Sequence, residues 1–452
     1  MRVLQLGPER PGRHPAGRPA RGSAALGITL MLLLVTAIAV LYVNRSMLFE
    51  QRTSANQTQA TQAYEVAEAG IEWATGMLND ARDIDTSCQP LGTANLSFRR
   101  RYVLTRYNAA TNPTSDVAPA TSTFPGCKLN MRTGARTCNC PAVPTSGAAV
   151  ADIGGDDDPS FTVAFEAVAG DPEAVRVTAY GCNARSVACS SSNFTSSDGN
   201  ARVSVILKMR PVLRAMPSSP LTCGTTCTLK ASTTIVNGDV ATNGILVNAG
   251  STITELGGNV TKTSLAGQPV ANAMVGNDSS LAVLASSDTT TCSNSAMFGA
   301  YFGSTIEQYR DLPSTKRLSC GSAAACKTAL DGAYNDGWRS FYMDTDLHLS
   351  GNNTYGSRND PITLVTPYAV DLNGSNVFYG LIFSNDGQTD DLGTGNAMVY
   401  GAQVSCRSYQ NNGNGTLTYD PDTLKNARRL TSLMVRVPGS WRDFRSNADT
   451  LP

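Results

Sequence analysis

From Gly22 to Asn44 the chain carries no Asp, Glu, Lys or Arg, and Leu26, Ile28, Leu30 to Val35, Ile38, Val40, Leu41 and Val43 dominate the run. About 20 apolar residues rising 1.5 Å each cover the ~30 Å hydrocarbon core of a bilayer. Beyond it, Tyr64, Ala67, Ile71, Ala74 and Leu78 recur at three- and four-residue steps, with Glu65, Glu68 and Glu72 on an adjacent face. That period belongs to one side of an α-helix. No proline interrupts residues 20–89, so the pattern predicts one continuous helix of roughly 50 residues, half in the bilayer and half outside. Arg2, Arg10, Arg13, Arg18 and Arg21 precede the apolar run against the single acid Glu9. The positive-inside preference keeps that side cytoplasmic and places the bulk of the chain outside. A secretory signal would end in a small-residue cleavage site, whereas this run passes straight into the polar helix. A plain single-pass anchor with a stalk fits the same periodicity.

After residue 80 the period shortens to two. Phe161–Phe165, a turn at Gly170-Asp171-Pro172, Ala174–Tyr180, and the alternation of Val203, Val205, Leu207 and Met209 predict an antiparallel sheet. Tyr102-Val103-Leu104 reads as a further strand. The preceding Arg99-Arg100-Arg101 reads as its solvated, aggregation-resistant edge rather than a DNA or lipid patch. Pro211, Pro217 and Pro220 mark a linker, after which short β-prone segments are broken by Asn237-Gly238, Asn243-Gly244 and Gly257-Gly258. Asn376 to Phe383 is echoed by Asn396 to Val404, with the Tyr-Gly pairs Tyr379-Gly380 and Tyr400-Gly401 aligned. Leu347-x-Leu349-x-Gly351 is echoed by Val370-x-Leu372-x-Gly374. Periods of about 20–25 residues suggest rungs of a parallel β-helix. A sandwich with a hairpin at each Asn-Gly is the competing fold. Asp420 as N-cap, Pro421 at the first position, and Lys425, Arg428 and Arg429 near the far end predict one short helix.

Composition narrows the function. The 452 residues carry zero formal net charge, which argues against a general nucleic-acid binder, and no nucleic-acid partner is expected. With His14 and His348 the only histidines and no G-x-S-x-G elbow, imidazole-based catalysis has little to work with, and an enzyme is not expected. Twelve cysteines without a CxxC pair point to disulfides in an oxidising compartment and away from a metal site. Cys182–Cys189, Cys223–Cys227 and Cys320–Cys326 are local candidates, and Cys127 can close on Cys138 or Cys140. Cys88, Cys292 and Cys406 need more distant partners. Acidic turns at Asp156-Asp157-Asp158, Asp344 with Asp346, and Asp386 with Asp390-Asp391 could take calcium but read better as solvated turns. No other cofactor is expected.

The stretch Arg21-Gly22-Ser23-Ala24-Ala25-Leu26, the Leu-rich run, Asn44-Arg45 and Gln62-Ala63-Tyr64-Glu65-Val66-Ala67-Glu68-Ala69-Gly70-Ile71 together resemble the N-terminal region of PilX-type minor pilins. Pro438-Gly439-Ser440-Trp441-Arg442-Asp443-Phe444 is similar to the tails of longer members. The resemblance implies that prepilin peptidase cuts after Gly22 and methylates Ser23. It also implies a single pass through the bacterial inner membrane, with the ectodomain in the periplasm and then outside the cell in the pilus. Pilins generally carry Glu at the fifth mature position, which here is Gly27. In a filament that carboxylate neutralises the terminal amine of the neighbour nearer the tip. An unpaired one at mid-bilayer costs ~2.5–3.5 kcal/mol, so a subunit without a neighbour above it has no use for it. The same departure resembles the K-type pseudopilin of type II secretion.

The expected fold is therefore α+β. Residues 1–22 are a leader, and 23–79 are the pilin helix with its membrane span at about 24–43. Residues 80–215 form an antiparallel β headpiece, and 216–452 a distal β domain, as a β-helix or a sandwich. The expected role is a minor pilin that initiates or caps a type IV pilus. Its helix would contact other minor pilins and the major pilin, and its ectodomain a PilY-type tip adhesin. A membrane-tethered β-helix that binds or processes carbohydrate is the reading from a different class.

Overall fold

The computed structural model describes residues 21–91, 96–104, 117–130, 132–153, 158–183, 189, 199–230, 232–257, 259–285, 287, 291–292, 296–372, 374–385, 396–411 and 414–443. The chain forms two units, Met1–Thr58 and Gln59–Pro452. One helix runs from Arg21 to Asn79, 59 residues without a break. In the first unit its apolar side chains from Leu26 to Val43 are exposed to the surroundings. The stretch is long and apolar enough to cross a membrane. The hydroxyls of Thr29 and Thr36 donate to the carbonyls of Leu26 and Leu33, so neither brings an unsatisfied donor into a bilayer.

In the second unit the end of that helix packs on a six-stranded antiparallel sheet. From one edge, its strands are Leu433–Arg436, Asn200–Arg210, Asp171–Cys182, Ser160–Val168, Gly126–Leu129 and Arg136–Asn139. Val66, Ala67, Ile71, Ala74 and Leu78 share one core with Phe161, Phe165, Val177, Ala179, Val205 and Leu207. The helical period thus meets the strand alternation of the inner face. The approach is close enough that a Cβ on Gly181 would lie 2.2 Å from the carbonyl oxygen of Ala63, so only glycine fits there.

The rest of the ectodomain is an insertion into this sheet. Arg210 and Leu433 are cross-strand partners, and the described strands between them form a three-faced β-solenoid with helices on its outside. All strand pairings within it are parallel among the described residues. Leu221–Cys223, Cys227–Lys230 and Thr234–Val236 form one rung, and Val247–Ala249, Ile253–Leu256 and Thr261–Thr263 stack on it. After Met274–Val275 the chain crosses through the helices Ser279–Ala282, Ala296–Phe302 and Ile306–Arg310 and re-enters at Lys316–Leu318. It then winds toward the first rung, in the same direction as before, through Ser340–Met343, Ile362–Val365, Val377–Ser384 and Met398–Ser405. Its last turn, with Tyr409–Gln410 and Thr416–Thr418, lies on the first rung. Helix Ala323–Asn335 covers the re-entry end and sends Leu330 and Ala333 into the core.

The sequence echoes are the rung period: Tyr379 is in register with Tyr400, Gly380 with Gly401, Leu347 with Val370 and Leu349 with Leu372. The two tyrosine rings stack at 4.8 Å. One face is buried on both sides. Ile362, Leu364 and Ile382 point into the solenoid, while Val365, Leu381, Phe383 and Val404 pack outward against Phe298, Phe302 and Tyr309 of the crossing helices. This explains the unbroken apolar run at Leu381-Ile382-Phe383.

Three expectations change. The distal domain does not run to residue 452, because Leu433–Arg436 returns to the headpiece sheet and Trp441 packs against the headpiece core. The proline segment is no free linker: Val212, Leu213 and Ser219 are buried, and the carbonyls of Pro217 and Pro220 accept from the Tyr419 hydroxyl and the Gln403 amide. Phe98–Tyr102 is a helix rather than part of a strand. Ser97 caps it by accepting from the Arg100 amide, and Phe98 and Tyr102, four apart, bury together.

Gly380 and Gly401 sit at φ 142° and 133°, where the double-length strands turn from one face to the next. A Cβ on them would lie 1.7 Å from the oxygen of Ile362 and 2.0 Å from that of Gly380. Gly380→Ala should therefore lower stability by about 3 kcal/mol or more. Gly134→Ala, in an open turn at φ 70°, should cost ~1 kcal/mol. Urea unfolding of the two variants checks the contrast.

Candidate functional site

Gly22 and Ser23 lie in the first turn of the long helix, and Gly27 in the next. A Cβ on Gly27 would have no atom within 4 Å, so the residue is not glycine for lack of room. Arg2, Arg10, Arg13, Arg18 and His14 lie outside the described residues.

A second set of residues joins the headpiece to the solenoid, all within Gln59–Pro452. The Arg99 guanidinium is buried and donates to the carbonyls of Leu78 and Ser432, both at 2.7 Å. Burial, reinforced by neighbouring Arg100, pushes its pKa down to about 10. The Asn79 side chain donates to the Met434 carbonyl at 3.0 Å and accepts from the Met434 amide at 2.8 Å. The last helical turn is thereby bonded to the strand that leaves the solenoid. Arg100 reaches Asp360 at 2.5 Å, and Arg339 meets the other oxygen of the same carboxylate at 3.0 Å. Burial alone would raise the Asp360 carboxyl, but the two guanidiniums outweigh it and hold it below the usual carboxylate range. Arg339 also donates to the carbonyls of Tyr334 and Trp338 and lies 4.1 Å over the Tyr334 ring. Arg101 holds the carbonyls of Ile84, Asp85 and Cys140.

The triple arginine is thus a junction and not a solvated edge. Each side chain leaves the short helix toward a different element. Two of the three bind backbone carbonyls, partners with no side-chain signature in the sequence. Ser97 followed by Phe98-x-x-x-Tyr102 was the available sign of a capped helix.

The twelve cysteines form six bridges: Cys88–Cys140, Cys127–Cys138, Cys182–Cys189, Cys223–Cys227, Cys292–Cys406 and Cys320–Cys326. Cys127 pairs across its hairpin with Cys138, in register, which frees Cys140 for Cys88. Cys292–Cys406 ties the crossing segment to the returning half-solenoid. Asp344 is engaged by Arg317, and Asp346 accepts from the Ala369 amide. Asp156, Asp157, Asp386, Asp390 and Asp391 lie outside the described residues. Among those described, no group of three or more His, Cys, Asp or Glu side chains could hold a metal ion. His348 is half exposed on a strand, 3.1 Å from Asp371.

An apolar helix long enough to cross a membrane thus continues into the core of a small antiparallel sheet, and the solenoid is inserted between two strands of that sheet. Residues 21–72 match the family model "PilX N-terminal". No curated protein matches the chain. Among solved structures, it is similar to the competence-associated pilin ComZ from Thermus thermophilus. That likeness has 13% identity, 85% of this chain and 97% of that one covered, and a TM-score of 0.20. It is also similar to an ice binding protein from an Antarctic Biological Consortium, with 11% identity, 46% and 91% covered, and a TM-score of 0.19. Likeness at these scores carries no weight for fold or role.

Removing the charge at the junction should loosen it. Asp360→Ala leaves two buried guanidiniums facing each other and should cost about 3–5 kcal/mol, read as a lowered thermal midpoint of the full chain in detergent. The Asp360 carboxyl is more acidic folded than unfolded. Its contribution is therefore complete above about pH 4 and is lost as the pH falls through the folded value. The acid limb of the stability profile should be shallower in Asp360→Asn than in the unmodified chain.

Proposed function

We propose that this protein is a minor pilin that helps to initiate or cap a type IV pilus, working as a structural subunit and not as an enzyme. The observation that carries this reading is the PilX-type segment at residues 21–72 with Gly27 where pilins place glutamate. Prepilin peptidase would cleave after Gly22 and methylate Ser23, leaving the helix in the inner membrane with the ectodomain in the periplasm. On extraction into the filament, the helix would pack against other minor pilins and the major pilin. With no carboxylate at position 27, the subunit gains nothing from a neighbour's amine above it, which favours the tip. The solenoid would then be the outermost part, placed to meet a PilY-type adhesin. Its attachment through two strands and the Arg99, Arg100 and Asp360 contacts suits a part that must keep its orientation under load.

A K-type pseudopilin of type II secretion shares the missing glutamate, and deletion separates the two by which system fails. A tethered carbohydrate-binding solenoid would use the helix only as an anchor.

Epitope-labelled full-length protein should appear at one end of each pilus, and labelling along shafts would contradict the tip assignment. Gly22→Trp should leave an unprocessed precursor and bald cells, and normal piliation in that strain would remove the pilin reading. Gly27→Glu should still insert in the membrane and shift label from filament ends into shafts.

A further inference from the structure

The first half-solenoid has two edges built from the same kinds of strand, with opposite fates. One edge, Leu221–Val236, accepts the returning strands of residues 403–418. No strand among the described residues pairs on the outer side of Ile253–Leu256, Thr261–Thr263 or Met274–Val275. What differs is the residue at the core-facing positions. Lys262 is in register with Ile235, which is in register with Leu417, and Glu255 is in register with Leu229. Ile235, Leu417 and Leu229 are fully buried, whereas Lys262 and Glu255 remain partly exposed and pair with each other, Nζ to Oε1 at 2.6 Å and to Oε2 at 2.7 Å. At the outermost rung two apolar positions of the core are thus replaced by a lysine and a glutamate.

We propose that the Glu255–Lys262 pair closes this end of the solenoid. A further rung laid on these strands would strip water from both charges without supplying new partners, a cost that its backbone hydrogen bonds would have to offset. The pair therefore directs the chain's own returning turn to the other edge. It also prevents a second copy of the chain from adding end to end. Open strand edges are otherwise templates for such addition, and solenoids need a polar terminal rung to stay single.

The test uses the full-length protein in detergent micelles, with the unmodified chain as the reference for any association through the membrane helix. Glu255→Leu combined with Lys262→Ile restores the apolar column. It should tighten self-association by about tenfold or more in sedimentation. In a Thr263→Cys background it should also give a disulfide-linked dimer. Glu255→Lys with Lys262→Glu, which keeps the pair reversed, should behave as the unmodified chain. A folded double-apolar variant with unchanged association and no cross-link would overturn the proposal. If that variant fails to fold, misdocking of its own last turn is the expected cause, and hydrogen exchange of the unmodified protein decides. The Thr261 amide donates inward to the Thr233 carbonyl, so alternation along the strand turns the Lys262 amide to the open edge. That amide should exchange much faster than those of 234–236, and equal protection would mean that the edge is already covered.

Discussion

The register pairing of Leu433 with Arg210 sets the architecture of the ectodomain. A segment inserted between two neighbouring strands of a sheet must begin and end within one strand spacing, about 4.8 Å. A solenoid wound without interruption from one end to the other cannot do that. On its longest face eight described strands stack, so uninterrupted winding would separate the ends by ~34 Å. The chain instead starts in the middle, winds to one end, crosses beside the solenoid on three short helices to the opposite end, and winds on in the same direction until its last turn lies on its first. The crossing helices are then not ornament. They cover the outer side of the face they run along, which is why that face is apolar on both sides. The Cys292–Cys406 bridge fixes the crossing to the returning half.

The return also brings the solenoid exit beside the end of the long helix, where Asn79 and Arg99 bind it through backbone groups. Arg100, Arg339 and Asp360 then join the neighbouring rungs to the headpiece. The headpiece and the solenoid form one body with the helix from Gln59 onward, and the proline segment between them is packed rather than loose.

The parts of this that are legible in the sequence are those set by local rules. The helix follows from uninterrupted 3.6-residue periodicity, and the rungs from the Tyr379–Gly380 and Tyr400–Gly401 echo. Helix Pro421–Leu430 follows from its Asp420 cap, and the short cysteine loops from their spacing. What stays hidden depends on distant pairing. Leu433-Met434-Val435-Arg436 reads as any short strand, and nothing local says that its partner is Asn200–Arg210. Arg99 looks like its neighbours Arg100 and Arg101 because its ligands are carbonyls. The jump from one end of the solenoid to the other leaves no trace in a 21-residue repeat, since both half-solenoids wind in the same direction. At the N-terminus the informative feature is a missing glutamate, with Gly27 in its place, and a family pattern is needed to notice it.

The proposed role requires that the N-terminal helix be that of a processed pilin. Mass spectrometry of the N-terminus, on protein from membranes of cells with and without prepilin peptidase, tests this most directly. A methylated Ser23 in the presence of the peptidase and an uncleaved leader in its absence are the expected results. An intact Met1 in both strains, or a terminus beyond Val43, would contradict that role and leave the solenoid, not the helix, as the place to look for function.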